Sequence, residues 1–260
     1  MQPCGSVSSF LRLSCLGLLL LGSSSALAKT ENHETKVRSR EKLSKFKREQ
    51  LADKLRKITG WSDLVFDQKG ALQLGKSAPV RGSATARRLL AASVSTPSVL
   101  VLEDASKRKD VVFCRVVVLP RDINPASAPV YLIQIDFADF DNLIGDRPVL
   151  DAFNVGWGFL HELDHVISAS YDSRRLGHAG ECEDHINTMR RELSLPERSD
   201  YFFTYLPYVQ QSDFITRFVR LPFDQKDVMS GKHRRFWLMW DAAIVGGLDD
   251  LKLAAEFRTR

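Results

Sequence analysis

Cysteine is scarce in this 260-residue chain: there are four, and two of them, Cys4 and Cys15, fall within the first 28 residues. That excludes a disulfide-stapled scaffold, since the remaining pair, Cys114 and Cys182, can make at most one bridge. Cys114 sits in an apolar, strand-like run, where a buried free thiol accounts for it equally well. Beyond residue 28 no apolar run reaches the length of a membrane span, which excludes a polytopic membrane protein. Internal repeats and low-complexity tracts are absent too, so solenoids and disordered arrays drop out.

What is present begins with a leader. Arg12 is the only charge in residues 1–28; the apolar run 13–21 follows it, and Ala26-Leu27-Ala28 supplies a small-residue cleavage pattern. The expectation is an exported protein, secreted or periplasmic, cut after Ala28 so that Lys29 becomes the N-terminus. Loss of Arg12 lowers the formal net charge from +5 to +4. About 230 residues then remain, enough for one domain with a real core.

Residues 29–60 form a polar, basic segment containing a charged helix over 36–58. Its narrow apolar stripe is Leu43, Phe46, Leu51, Leu55 and Ile58. The interleaved acids Glu41, Glu49 and Asp53, with almost no aromatic residue to stack on bases, argue against nucleic acid. Docking of the stripe on the body is the plainer reading, and peripheral association with a cell envelope through the basic face is the other.

Residues 61–260 read as an α+β domain. A small hairpin is expected around Asp67-Gln68-Lys69-Gly70, and one or two helical turns at 84–92. Strands are expected at 98–102, 110–119 and 130–137. Their short connections suggest an antiparallel meander. Helices follow at 149–170 and 179–193, an aromatic segment at 201–208, a short element near 214–221 and a last helix near 236–257. Gly156 and Gly158 weaken the first half of the 149–170 helix. The small antiparallel or mixed sheet thus precedes a helix pair and C-terminal helices.

The chemistry concentrates on that pair. His161-Glu162-Leu163-Asp164-His165 is H-E-x-x-H within an apolar helix. Residues four apart share a face, so His161 and His165 can aim two imidazoles at one point, with Glu162 beside it as a proton acceptor. Two histidines do not complete a catalytic zinc site; a third protein ligand is needed. Gly180-Glu181-Cys182-Glu183-Asp184-His185-Ile186-Asn187 offers Glu181, Glu183, Asp184 and His185 on the next helix. Burying histidines and a glutamate in an apolar helix is costly without a partner, and a His, His, carboxylate set with an open position selects zinc.

H-E-x-x-H followed on the next helix by a ligand Glu resembles the gluzincin metallopeptidases. In thermolysin-like members that Glu lies in N-E-x-x-S-D, and in ImmA/IrrE-type members in E-x-E-A. The resemblance spans about 30 residues, 160–189. It implies a zincin-like fold, zinc held by His161, His165 and Glu183, and Asn187 supporting a ligand histidine. Cys182, Ile186 and Asn187 depart from the first motif and Asp184 from the second, and Glu181 stays a rival ligand. Metzincin spacing requires a third ligand six residues after His165; Tyr171 stands there, no glycine stands at Ser168, and Asp172 is one position late. By the resemblance Glu162 is the catalytic base and the substrate a peptide or protein. His178, His185, Tyr201, Tyr205, Tyr208 and His233 are candidates to stabilise the reacting carbonyl oxygen, and strand 130–137 is a candidate edge for pairing with substrate. Two other classes stay open: a non-catalytic exported metal-binding module, and an envelope-associated interaction protein.

Overall fold

The computed structural model describes residues 36–40, 43–106, 108–120, 128–206, 218–227 and 230–246. In chain order it contains β1 (Val37–Ser39), α1 (Lys45–Thr59), β2 (Val65–Phe66), β3 (Leu72–Gln73), α2 (Ala84–Ser95), β4 (Val99–Asp104), β5 (Cys114–Val118) and β6 (Val130–Ile135). There follow α3 (Phe137–Asp141), α4 (Arg147–Ala152), α5 (Val155–Ile167), α6 (Glu181–Glu192), β7 (Glu197–Arg198), β8 (Thr204–Tyr205), β9 (Phe218–Lys226), β10 (His233–Asp241) and α7 (Ala242–Val245). The class is α+β. Among the described residues no helix is long and apolar enough to cross a membrane.

The first sheet has the order β1-β4-β6-β5, with β1, β4 and β6 parallel and β5 antiparallel to β6. This corrects the expected meander: β6 enters between β4 and β5, so consecutive strands β4 and β5 never pair. It also moves the free edge. Strand β6, Val130–Ile135, is interior, with its last four residues buried as a doubly covered strand requires. Strand β5 is the edge. A second sheet, β10-β9-β7 with β8 also on β9, is built on the antiparallel pair of nine-residue strands β9 and β10. Its strand β10 occupies 233–241, where the sequence pattern had favoured a helix. Alternation explains the outcome: Phe236, Leu238 and Trp240 are buried while Trp237 and Met239 lie half out, a period of two. The remainder of that expected helix, 247–257, lies outside the described residues.

The two sheets feed two apolar clusters. The larger joins Leu51, Leu55 and Ile58 of α1, Leu89 and Leu90 of α2, the buried strand residues, and Trp157, Phe159, Leu160 and Leu163 of α5. Leu43 joins it from the turn before α1, and Phe46 does not: it is 77% exposed on the opposite face. Much of the charge on α1 is met locally, by Arg56 with Glu49, Lys57 with Asp53 and Lys47 with Asp104 of β4. The smaller cluster holds Val149, Ala152 and the inner face of the β9–β10 hairpin.

Helix α5 is the element around which the site forms. The expected long helix breaks at Phe153, and Asn154 restarts it by accepting from the Gly156 amide at 3.0 Å. Gly158 serves close approach: a Cβ there would lie 2.8 Å from both Cys114 Sγ and Phe140 Cζ. Missing side-chain bulk thus lets edge strand β5 reach α5.

Candidate metal centre

His161 and His165 project from one side of α5, their rings 4.8 Å apart and perpendicular. His165 Nδ1 lies 2.9 Å from the Ser170 carbonyl. A carbonyl only accepts, so Nδ1 carries a proton and Nε2 is the nitrogen left to face the site. The loop that provides this carbonyl is tied down by Asp164, the fourth residue of the motif. Asp164 is 2% exposed and accepts from Ser168 Oγ at 2.7 Å, Ser170 Oγ at 2.6 Å and His185 Nδ1 at 2.8 Å. His185 is therefore bonded to Asp164, and Glu181, the rival ligand, stands exposed at the start of α6.

The loop turns through Ala169 at φ 53° and returns to α6. There Asp172 bridges with Gly180, and the Tyr171 carbonyl accepts from Cys182 N at 3.3 Å. Gly180 has φ 93°, and a Cβ would sit 2.4 Å from Ser173 N, so only glycine lets the two strands of the loop close. The closure delivers Asp172 to the histidines. Its Oδ1 lies 3.0 Å from His161 Nε2, and its Oδ2 lies 3.4 Å from His165 Nε2. Tyr201 donates its hydroxyl to Oδ2 at 2.8 Å and stacks on the His161 ring. Oδ1 is buried and lacks a hydrogen-bond partner among the described residues. Sequence spacing had set Asp172 aside as one position late. The left-handed turn at Ala169 absorbs that extra residue, and no glycine marked it.

Cys182 completes the cluster. Ligand-type atoms of His161, His165, Asp172 and Cys182 all lie within 4.8 Å of one another. Cys182 is fully buried and unbridged, its Sγ 3.4 Å from His161 Nδ1. Cys114 is also a free thiol, raised well above the ordinary range by burial and by Glu162.

Glu183 approaches His161 from the other side of the ring. Its Oε2 is 3.2 Å from Nδ1, whereas Asp172 faces Nε2. It is 1% exposed and held between two guanidiniums, Arg190 on Oε1 and Arg198 on Oε2 at 3.1 Å. Burial pushes the Glu183 carboxyl up, but the two arginines outweigh it and hold it well below the carboxylate range. Asn187 supports those arginines and touches neither histidine. Its Oδ1 accepts from Arg190 Nη1 at 2.9 Å and Arg198 N at 2.8 Å. Asn187 thus stands one step further from the ring than the sequence resemblance implied.

Glu162 is 8% exposed, beside the histidines but directed at edge strand β5, where the Val116 amide faces its carboxyl. Burial raises it above the ordinary glutamate range, and the two histidines pull in the opposite direction. Of the other polar candidates, Tyr201 is in the site. His178 and His233 line a separate surface depression with Arg175 and Asp224. The Tyr205 side chain and Tyr208 lie outside the described residues. The donor set fits a divalent ion of the zinc class: two imidazole nitrogens and a carboxylate converge, and binding of such an ion would displace the imidazole protons that face the carboxylate. No family model, no curated protein and no solved structure matches this chain.

Proposed function

We propose that this protein is an exported zinc-dependent metallopeptidase in which His161, His165 and Asp172 hold the metal and Glu162 is the general base. The observation that carries this reading is the convergence of both Nε2 atoms on the Asp172 carboxylate, next to a buried glutamate of raised pKa. A zinc ion in that position would acidify a water and polarise a carbonyl. Glu162, buried and beside the histidines, is placed to take a proton and return it to a leaving amine. Tyr201, fixed on Asp172, offers a phenol beside the same point. A peptide is favoured over other carbonyl substrates by β5. Phe113 and Leu119 bond to β6, so by ladder alternation 116 and 118 turn their backbone groups away from β6, the Val116 amide toward Glu162. An extended peptide added there would run past Glu162.

The test is metal content of the protein purified without chelators, with peptide hydrolysis followed in parallel. About one zinc per chain is expected, and Glu162→Gln should retain it while losing hydrolysis by at least about a thousandfold. No metal uptake, or hydrolysis intact in Glu162→Gln, would overturn the reading. A second reading rests on Cys182. As a fourth protein ligand it would close the site and leave a structural metal in a non-catalytic module. Cys182→Ser separates the two: metal affinity collapses under the second reading, while under the first both zinc and hydrolysis persist.

A further inference from the structure

A cavity of about 260 Å³ opens beside His161 and Glu162. Its walls are mostly apolar and aromatic, among them Phe113, Phe153, Trp157, Phe203, Leu221 and Trp240. Charged residues reach it as well, but their polar groups are already engaged: Glu183 meets Arg190 and Arg198, and the two guanidiniums also bond to the Ala152, Asp200 and Tyr201 carbonyls. A charged guest would have to displace one of these bonds to recover what it loses in hydration, so the cavity disfavours charge. A planar or branched apolar group loses nothing there and gains the aromatic walls.

One wall is held under strain. Phe113 has φ 61°, in the left-handed region, and Cys114 N bonds to Val112 O at 2.8 Å across it, the pattern of a rare and strained γ-turn. Asp139 Oδ2 accepts the Phe113 amide at 2.9 Å, and the Phe113 carbonyl accepts from Asp136 N at 2.8 Å. The ring then sits 5.2 Å from Phe140, Phe153 and Trp240. Bulky residues are held this way only where the surroundings over-determine the conformation, commonly at functional sites. This turn also starts edge strand β5, so it links the cavity wall to the strand that faces Glu162.

The geometry points to a specificity pocket, with Phe113 as its determining residue, for one large apolar or aromatic side chain flanking the bond that is cut. This rests on the peptidase reading for the word cut, but occupancy of the pocket does not. N-acetyl-phenylalaninamide is the probe, with N-acetyl-glutamate amide as the charged control, and the tryptophan emission of the whole protein reports binding, since Trp157 and Trp240 are both in the wall. Saturable binding of the aromatic amide is expected, with no response to the acidic one. Phe113→Gly relieves the backbone while removing the ring, so it should fold and weaken binding by about tenfold or more. Phe203→Ala checks a second wall residue and should also weaken it. No binding by the wild-type protein, or equal binding in both variants, overturns the pocket. Cleavage of a mixed peptide pool, read by mass spectrometry, should show large apolar residues at one position beside the cut. Cleavage with no such preference also overturns the pocket, whereas aromatic binding without any cleavage overturns the peptidase reading and leaves the pocket standing.

Discussion

His161 has a carboxylate on each side, and the two sides are built differently. Asp172 comes from a loop, its side chain is one-third exposed, and its oxygens face the imidazoles and the Tyr201 hydroxyl. Glu183 comes from the interior of α6, its side chain is 2% exposed, and two arginines occupy it. The difference is one of counter-charge. The α6 side carries its own cations, so it is complete as folded and fixes the ring. The loop side pairs one carboxylate with two imidazoles, and a metal ion there would take the place of their protons.

The sharpest way to break this comparison is Asp172→Asn. It removes one anionic acceptor and leaves the α6 side intact. Metal binding should fall below detection and peptide hydrolysis by at least about a thousandfold, with a far-ultraviolet circular dichroism spectrum like the wild type. Full metal content in this variant would move the centre to the other carboxylate.

Glu183→Gln tests the other side, and its effect should lie first in stability. It strands two guanidiniums, of which Arg190 is 1% exposed, at a cost of about 3 to 5 kcal/mol in denaturant unfolding. Metal affinity should also weaken, by about ten- to a hundredfold, as His161 loses the acceptor at Nδ1. A stable variant that loses metal outright would make Glu183 a ligand, as the sequence resemblance implied.

How much of this was legible beforehand follows from the range of the interactions. The H-E-x-x-H face needed only helical periodicity, and His161, Glu162 and His165 fall together as that periodicity requires. Strand existence was readable from β-branched runs, but the order β4-β6-β5 was not, because pairing is decided between segments. Asp172 was hidden for a related reason: its place depends on a left-handed turn at Ala169 and on the Gly180 closure, and only the glycine leaves a mark in sequence. Arg190 and Arg198 carried no signal at all as partners of Glu183. One lies seven residues along the helix and the other on β7. The hairpin strand β10 was misread for lack of weight given to its alternation.

Buried Asp139 sharpens the contrast, because among the described residues the charge acting on it is another carboxylate, Asp136. Asp139 is 5% exposed and is raised to about 7, chiefly by burial, with the Phe113 amide lowering it and neighbouring Asp136 raising it further. Unfolded, it titrates near 3.8. Between about pH 4 and 7 the folded chain therefore holds a proton that the unfolded chain releases, so this group's contribution to stability declines as pH rises and is fully lost above 7. Asp139→Asn keeps an oxygen for the Phe113 amide and removes the ionisation. The variant should match the wild type at pH 4 and exceed it at pH 8 by about 2 to 4 kcal/mol in denaturant unfolding. A pH-independent difference would mean that Asp139 finds a counter-charge after all. In that case the rule drawn from Asp172 and Glu183, that a buried carboxylate here is ionised only where a cation meets it, fails at its simplest instance.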